Sequence, residues 1–170
     1  MSSPSTQQHR QNAPQSIVAA VLTVSDTRTL DSDQGGKLIA DLLAAKGHRV
    51  LERAIVPDVA PRIAEETLRL LGLPGVEAVL ITGGTGLAAR DQTVDAVESL
   101  YDASIPGYGE LFRMLSFQEI GPAAMLSRAS AGRRGQQILI TMPGSPNGVR
   151  LAMERLILPE LPHMVWHASH

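Results

Sequence analysis

The chain has 170 residues, a formal net charge of −2, 44% hydrophobic residues, 3% aromatics and no cysteine. That length suits one domain able to bury its own core, while the charge and the scarcity of aromatics exclude the basic face and stacking platform of a nucleic-acid binder. Without cysteine there is no disulfide, thiol nucleophile or zinc–thiolate site; no apolar run approaches the roughly 18 residues of a membrane span, and the polar N-terminus lacks a signal pattern, so a cytoplasmic protein is expected.

Residues 1–15, rich in Ser and Gln, read as a disordered tail. Ile17 to Val24 is a continuous apolar run, the pattern of a strand covered on both faces. It ends in Ser25-Asp26-Thr27. Ser32 or Asp33 can cap a helix whose Leu38, Ile39, Leu42 and Leu43 share a face, closed by Lys46-Gly47. A second strand spans about Arg49 to Val56 and stops at Pro57-Asp58. A helix follows from Pro61 to Leu71. Leu73-Pro74-Gly75 turns into a third apolar run, Val76 with Ala78 to Ile81, which breaks into Thr82-Gly83-Gly84-Thr85-Gly86.

Beyond that turn, Thr93 to Leu100 and Glu110 to Ile120 are predicted as helices, with Ile105 to Gly109 as punctuation. Gly121-Pro122 stops the second helix, and Ala123 to Ala131 reads as a further helical stretch. Gly132-Arg133-Arg134-Gly135 reads as a loop and Gln137 to Met142 as the last strand. Pro143 to Asn147 break it, with Ser145 and Pro146 as N-cap and first position of a final helix striped by Val149, Ala152, Met153, Leu156 and Ile157. From Pro159 the chain is expected to trail off, leaving one domain over 16–161 and a C-terminal tail over 162–170. The five histidines resemble no site, and His163, His167 and His170 fall in that tail. Strands alternating with helices imply an α/β fold in three layers, a mostly parallel sheet with helices on both faces.

In such a fold the loops at the strand carboxyl ends share one edge, where ligands bind. Here those loops carry Ser25 and Asp26, Asp58, Gly83 to Gly86 with Arg90 and Asp91, and Pro143 to Asn147, whereas the opposite loops carry only turn and charge residues. Three glycines in four residues permit positive φ and close backbone approach, and successive N–H groups can form an anion nest. A glycine-rich turn can equally serve only to turn the chain. Arg90 offers a phosphate-seeking fork. Asp58 and Asp91 are candidates for one pocket, where a shared divalent cation would remove their repulsion; each could instead complement a helix dipole. Glu110, Arg113 and Ser116 recur at i, i+3 and i+6 on one helix, where solvated surface is the default reading.

Taken together, Thr82-Gly-Gly-Thr-Gly86, Arg90-Asp91, Pro106-Gly-Tyr-Gly-Glu110 with Arg113-Met-Leu-Ser116, Leu126-Ser-Arg128 and Met142-Pro-Gly-Ser-Pro146 resemble the molybdenum cofactor biosynthesis family MoaB/Mog, from about Ile17 to Leu161 and closest to its MoaB branch. The resemblance implies a domain that binds molybdopterin and, in active members, adenylylates it with MgATP, working as a trimer or hexamer beside other enzymes of the pathway. It puts the two catalytic acids on Asp58 and Asp91, with Mg2+ between them. The pterin-phosphate and nucleotide loops fall on Ser25 and Asp26, on Gly83, Gly84, Thr85 and Gly86, and on Pro143, Gly144, Ser145 and Pro146. Glu110, Arg113 and Ser116 match a recurrent segment. Two departures matter: Val94 stands where adenylating members usually have proline, and some MoaB-branch proteins lack the first acid, which Asp58 supplies here. A non-catalytic molybdopterin carrier on the same pocket is the rival expectation.

Overall fold

The computed structural model describes residues 13–170, so the expected N-terminal tail lies almost wholly outside the described residues. The apolar runs form strands as their composition dictates: β1 (Val18–Val24), β2 (Arg49–Val56), β3 (Ala78–Thr82) and β6 (Gln137–Met142). Two short strands join them, β4 (Ala103–Ser104) and β5 (Ala131–Arg134). The sheet order is β2-β1-β3-β6-β5-β4, parallel across the first four strands and antiparallel at β6–β5 and β5–β4. The chain leaves β1 for β2 on one side and crosses back to β3 on the other. The order therefore switches between β1 and β3.

Alternation along the strands divides the core in two. Ala19, Val21 and Leu80 face helices α1 (Gln34–Ala45), α4 (Pro106–Ile120), α5 (Pro146–Ala152) and α6 (Leu158–Ser169). Ala20, Leu22 and Ile81 face α2 (Ala60–Leu71) and α3 (Thr93–Glu98). These are the three layers expected. Asp33, almost fully buried, caps α1 by accepting from Gly36 N and binds Thr23 Oγ1 (2.7 Å) and Arg53 (3.0 Å), tying β1, β2 and α1 together.

Several elements differ from the expectation. Pro106 initiates α4, because proline suits a first-turn position, so the predicted punctuation at 106–109 is helical. The helix expected over 123–131 is a 3₁₀ segment at Gly121–Leu126 followed by extended chain and β5. The loop predicted at 132–135 is mostly β5, whose Gly132 lies under the Tyr101 ring; a Cβ there would stand 2.3 Å from the ring. The chain also does not trail off after Pro159. A π-helical turn (Met153–Ile157) joins α5 to α6, which carries Pro159 in its first turn, continues through Pro162 to Ser169 and buries Leu161 and Val165.

Candidate functional site

The carboxyl ends of β1, β2, β3 and β6 meet at one rim, and their loops are stitched together. Ser25 N donates to Val56 O (2.9 Å), and Gly83 N to Met142 O (3.1 Å). Thr82 Oγ1 donates to Pro143 O (2.8 Å), and Arg28 reaches Gly144 O. Gly83 and Gly84 need their positive φ, 99° and 63°, and they also need the missing side chain. A Cβ on Gly83 would lie 2.3 Å from Val24 O. One on Gly84 would lie 2.2 Å from Thr93 Oγ1 and 2.5 Å from Asp58 Oδ2.

Asp58 and Asp91 both abut this turn, Asp58 at Gly84 and Asp91 at Gly86, where a Cβ would meet Asp91 Oδ2 at 2.6 Å. Each carboxylate has one oxygen fixed by backbone: Gln92 N donates to Asp58 Oδ1 (3.0 Å) and Ala88 N to Asp91 Oδ2 (3.0 Å). Asp58 N in turn donates to Asp26 Oδ1 (3.0 Å), and Ala60 N to Gln92 Oε1 (2.8 Å). Burial pushes the Asp58 carboxyl above its ordinary range. The Asp91 and Asp26 carboxylates push the same way, while the Gln92 N–H and the Arg90 guanidinium oppose them.

The other predicted residues serve the rim in different ways. Ser25 Oγ accepts from Thr27 N and Arg28 N, shaping the loop after β1. Ser145 caps α5 by accepting from Gly148 N, and Pro146 takes the first helical position. Gly144 packs against Gly83, so the loop at Pro143–Pro146 and the glycine turn touch. Glu110 and Arg113 are not beside the glycine turn. They line a cavity of about 650 Å³ with Asp95, Ser127 and Arg128. Ser116 lines a separate 150 Å³ cleft with Pro143 and Ser145. The 650 Å³ cavity and the paired acids are therefore neighbouring compartments, and we take the acids and the turn as the candidate chemical centre because charge and backbone donors converge there.

Arg128, which separates the two compartments, was not among the predicted site residues. Its Nε donates to Gly86 O (2.8 Å), one guanidinium nitrogen to Asp91 O, and the other to Asp95 (2.9 Å); its own N–H donates to Thr85 O (3.1 Å). It clamps the glycine turn from outside. Thr93 was also missed: wholly buried, it donates its N–H to Gly84 O, and its Oγ1 has no hydrogen-bond partner. The Arg-Asp-x-Thr pattern and the Leu-Ser-Arg motif held the available signals.

A doubly wound sheet with a glycine turn and paired acids at its switch point defines an α/β domain with a candidate ligand rim at the strand carboxyl ends. The comparisons specify which. Residues 20–163 match the model of a family described as "Probable molybdopterin binding domain". A "Molybdenum cofactor biosynthesis protein B" of Halalkalibacterium halodurans is 49% identical over 162 residues, 95% of each chain. A crystal structure of a molybdenum cofactor biosynthesis protein B superposes with a TM-score of 0.89 at 45% identity, covering 92% of this chain and 98% of that one. The tungsten cofactor synthesizing protein MoaB from Pyrococcus furiosus follows at 0.84 and 33%, covering 93% and 100%. The chain belongs to the molybdenum cofactor biosynthesis family. Among the described residues no helix is long and apolar enough to cross a membrane.

Proposed function

We propose that the chain binds molybdopterin and transfers an adenylyl group to its terminal phosphate from MgATP, in the cytoplasm. The observation that carries this reading is the convergence of Asp58 and Asp91 on the glycine turn, with Asp58 pushed up by burial and by its acidic neighbours. The donor set suits a hard divalent cation. Both side chains present carboxylate oxygens to the glycine turn. Asp58 and Asp91 would hold Mg2+, with water and phosphate oxygens filling the shell. Bound there, the cation would neutralise the two phosphates as they meet.

An oxygen of the pterin's terminal phosphate attacks the α-phosphorus of ATP, the bond to the β-phosphate breaks, and pyrophosphate leaves. The nucleophile is already an anion, so no general base is required. The residues instead overcome repulsion and fix an in-line approach. N–H groups of the glycine turn and Arg90 receive the phosphates, while Arg128 keeps the turn rigid. Ser25, Asp26 and the loop Pro143–Pro146 complete the rim around pterin phosphate and nucleotide. Glu110, Arg113 and Ser116 contribute from α4 to the two adjoining cavities. The proposal includes a homo-oligomer, trimer or hexamer, supported by the exposed apolar face of α4 (Leu111, Met114, Phe117 and Ile120).

Purified protein incubated with molybdopterin and MgATP is expected to yield adenylylated pterin and pyrophosphate. Asp91→Asn is expected to keep pterin binding while cutting adenylate formation at least about tenfold, or 1.4 kcal/mol of barrier. Pterin binding without adenylate in the wild type would instead identify a carrier. Unchanged turnover in Asp91→Asn would remove Asp91 from the mechanism.

A further inference from the structure

Far from the glycine turn, α6 brings together residues that the sequence reading left in a tail. The end of this helix packs beside Gly75–Glu77 and Gln136–Gln137, at the amino ends of β3 and β6. His163 and His167 are four residues apart and so share one helix face. Their Nε2 atoms lie 3.0 Å apart. The ring centroids are 4.5 Å apart with planes at 56°, so the rings converge at their Nε2 edges. Glu160, one turn earlier, sets its Oε2 3.0 Å from His163 Nδ1. A carboxylate only accepts, so Nδ1 carries the proton that Glu160 receives. In neutral His163 the lone pair is then on Nε2, aimed at His167.

We propose that His163 and His167 form a two-imidazole chelate for a late divalent transition-metal ion, oriented by Glu160. Without metal, the Nε2–H of His167 occupies the space between the rings; the ion takes the place of that proton. Two nitrogens 3.0 Å apart, each bonded at about 2.0–2.1 Å, subtend roughly 91–97° at the metal, whereas ideal tetrahedral positions have a separation of roughly 3.3–3.4 Å. The spacing is within reach of a single ion held by both nitrogens, and the general affinity order for nitrogen donors makes Cu2+ the tightest, above Ni2+. A carboxylate on the non-ligating nitrogen is the arrangement that fixes tautomer and ring orientation in histidine metal sites.

Both histidines line a cavity of about 300 Å³ with Ala103, Ile105, Arg133, Ile138, Met164 and Ala168. His163 is 18% exposed, and His167 stands at the surface against the edge of Trp166. Among the described residues no third His, Asp or Glu completes a metal cluster, so the proposal commits only to the two imidazole ligands. Arg133, the cation on the cavity wall, faces Asp102 at 3.9 Å and donates to Gly135 O. Its charge is thus balanced locally.

The test uses the full chain, free of any affinity tag and stripped with chelator, titrated with CuCl2 and with NiCl2 by calorimetry. Wild type is expected to bind one ion per chain, Cu2+ more tightly than Ni2+, with an electron paramagnetic resonance spectrum showing coupling to two imidazole nitrogens. The surface variant His167→Ala is expected to lose at least about tenfold in affinity and one coupled nitrogen, and Glu160→Gln to lose about tenfold with both nitrogens retained. His170→Ala, whose ring stacks on Trp166, is expected to bind as wild type does. No saturable binding by the wild type, or equal binding by His167→Ala, overturns the proposal. Failure of the adenylation assay leaves it untouched, because the two sites are at opposite edges of the sheet.

Discussion

Gly84, in the turn leaving β3, and Gly75, in the turn entering it, both take positive φ, 63° and 81°, at opposite ends of the same strand. Around Gly75 a Cβ would meet nothing within 4 Å, whereas around Gly84 it would meet Thr93 and Asp58 inside 2.6 Å. One glycine answers only to backbone geometry, and the other also to neighbours that belong to the proposed site. Positive φ alone does not separate the two turns; the crowding around Gly84 does.

Substitutions can sharpen that contrast. Gly84→Ala should have the largest effect, displacing Asp58 and reducing adenylate formation at least about 100-fold, or 2.7 kcal/mol of barrier, in a pyrophosphate-release assay. Activity near wild type would mean that the crowding is relieved without touching the acids. Arg128→Ala should come next, with a fall of about tenfold because Gly86 and Asp91 lose their clamp. Arg128→Lys should fail to restore it, since an ammonium cannot replace the planar fork. Full rescue by lysine would reduce Arg128 to a simple charge.

Asp58 gives a smaller effect, read as pH dependence of stability. Its carboxyl is raised above the ordinary value of 3.8, first by burial. The folded chain therefore holds this proton more tightly than the unfolded chain. The stability this supplies is complete below the ordinary value and is lost as pH rises through the raised one. Asp58→Asn should thus raise Tm at neutral pH without divalent cation, and the gap should close below about pH 4. A gap that persists in acid would point to packing instead of charge. Gly75→Ala should do least, costing about 1 kcal/mol in a denaturant titration with adenylation unchanged; lost activity there would dissolve the distinction between the two turns.

How much of this was legible in the sequence follows from the same physics. β1, β3 and β6 announce themselves because strands buried on both faces must be apolar throughout, and the glycine turn shows as the abrupt end of one such run. β5 does not, since Ala-Gly-Arg-Arg has no apolar run and is held by backbone pairing to β6 and β4 and by the Tyr101 ring over Gly132. α6 was hidden by Pro159 and Pro162, which read as breakers although one sits in a first turn and a π-helical turn precedes both. Asp58 and Asp91 are expected from sequence as loop acids at the shared edge, and both lie against the glycine turn there. Arg128 could not be placed that way, because its role depends on acceptors about 40 residues away in sequence, Gly86 at a separation of 42.

The run of bonds from Asp26 through Asp58 to Gln92 has an engineering consequence. Each of these residues belongs to a different connection, and each is hydrogen-bonded to the next. A graft that swaps or lengthens one connection alone would drag the others out of alignment, so redesign of ligand preference has to exchange all three as a set.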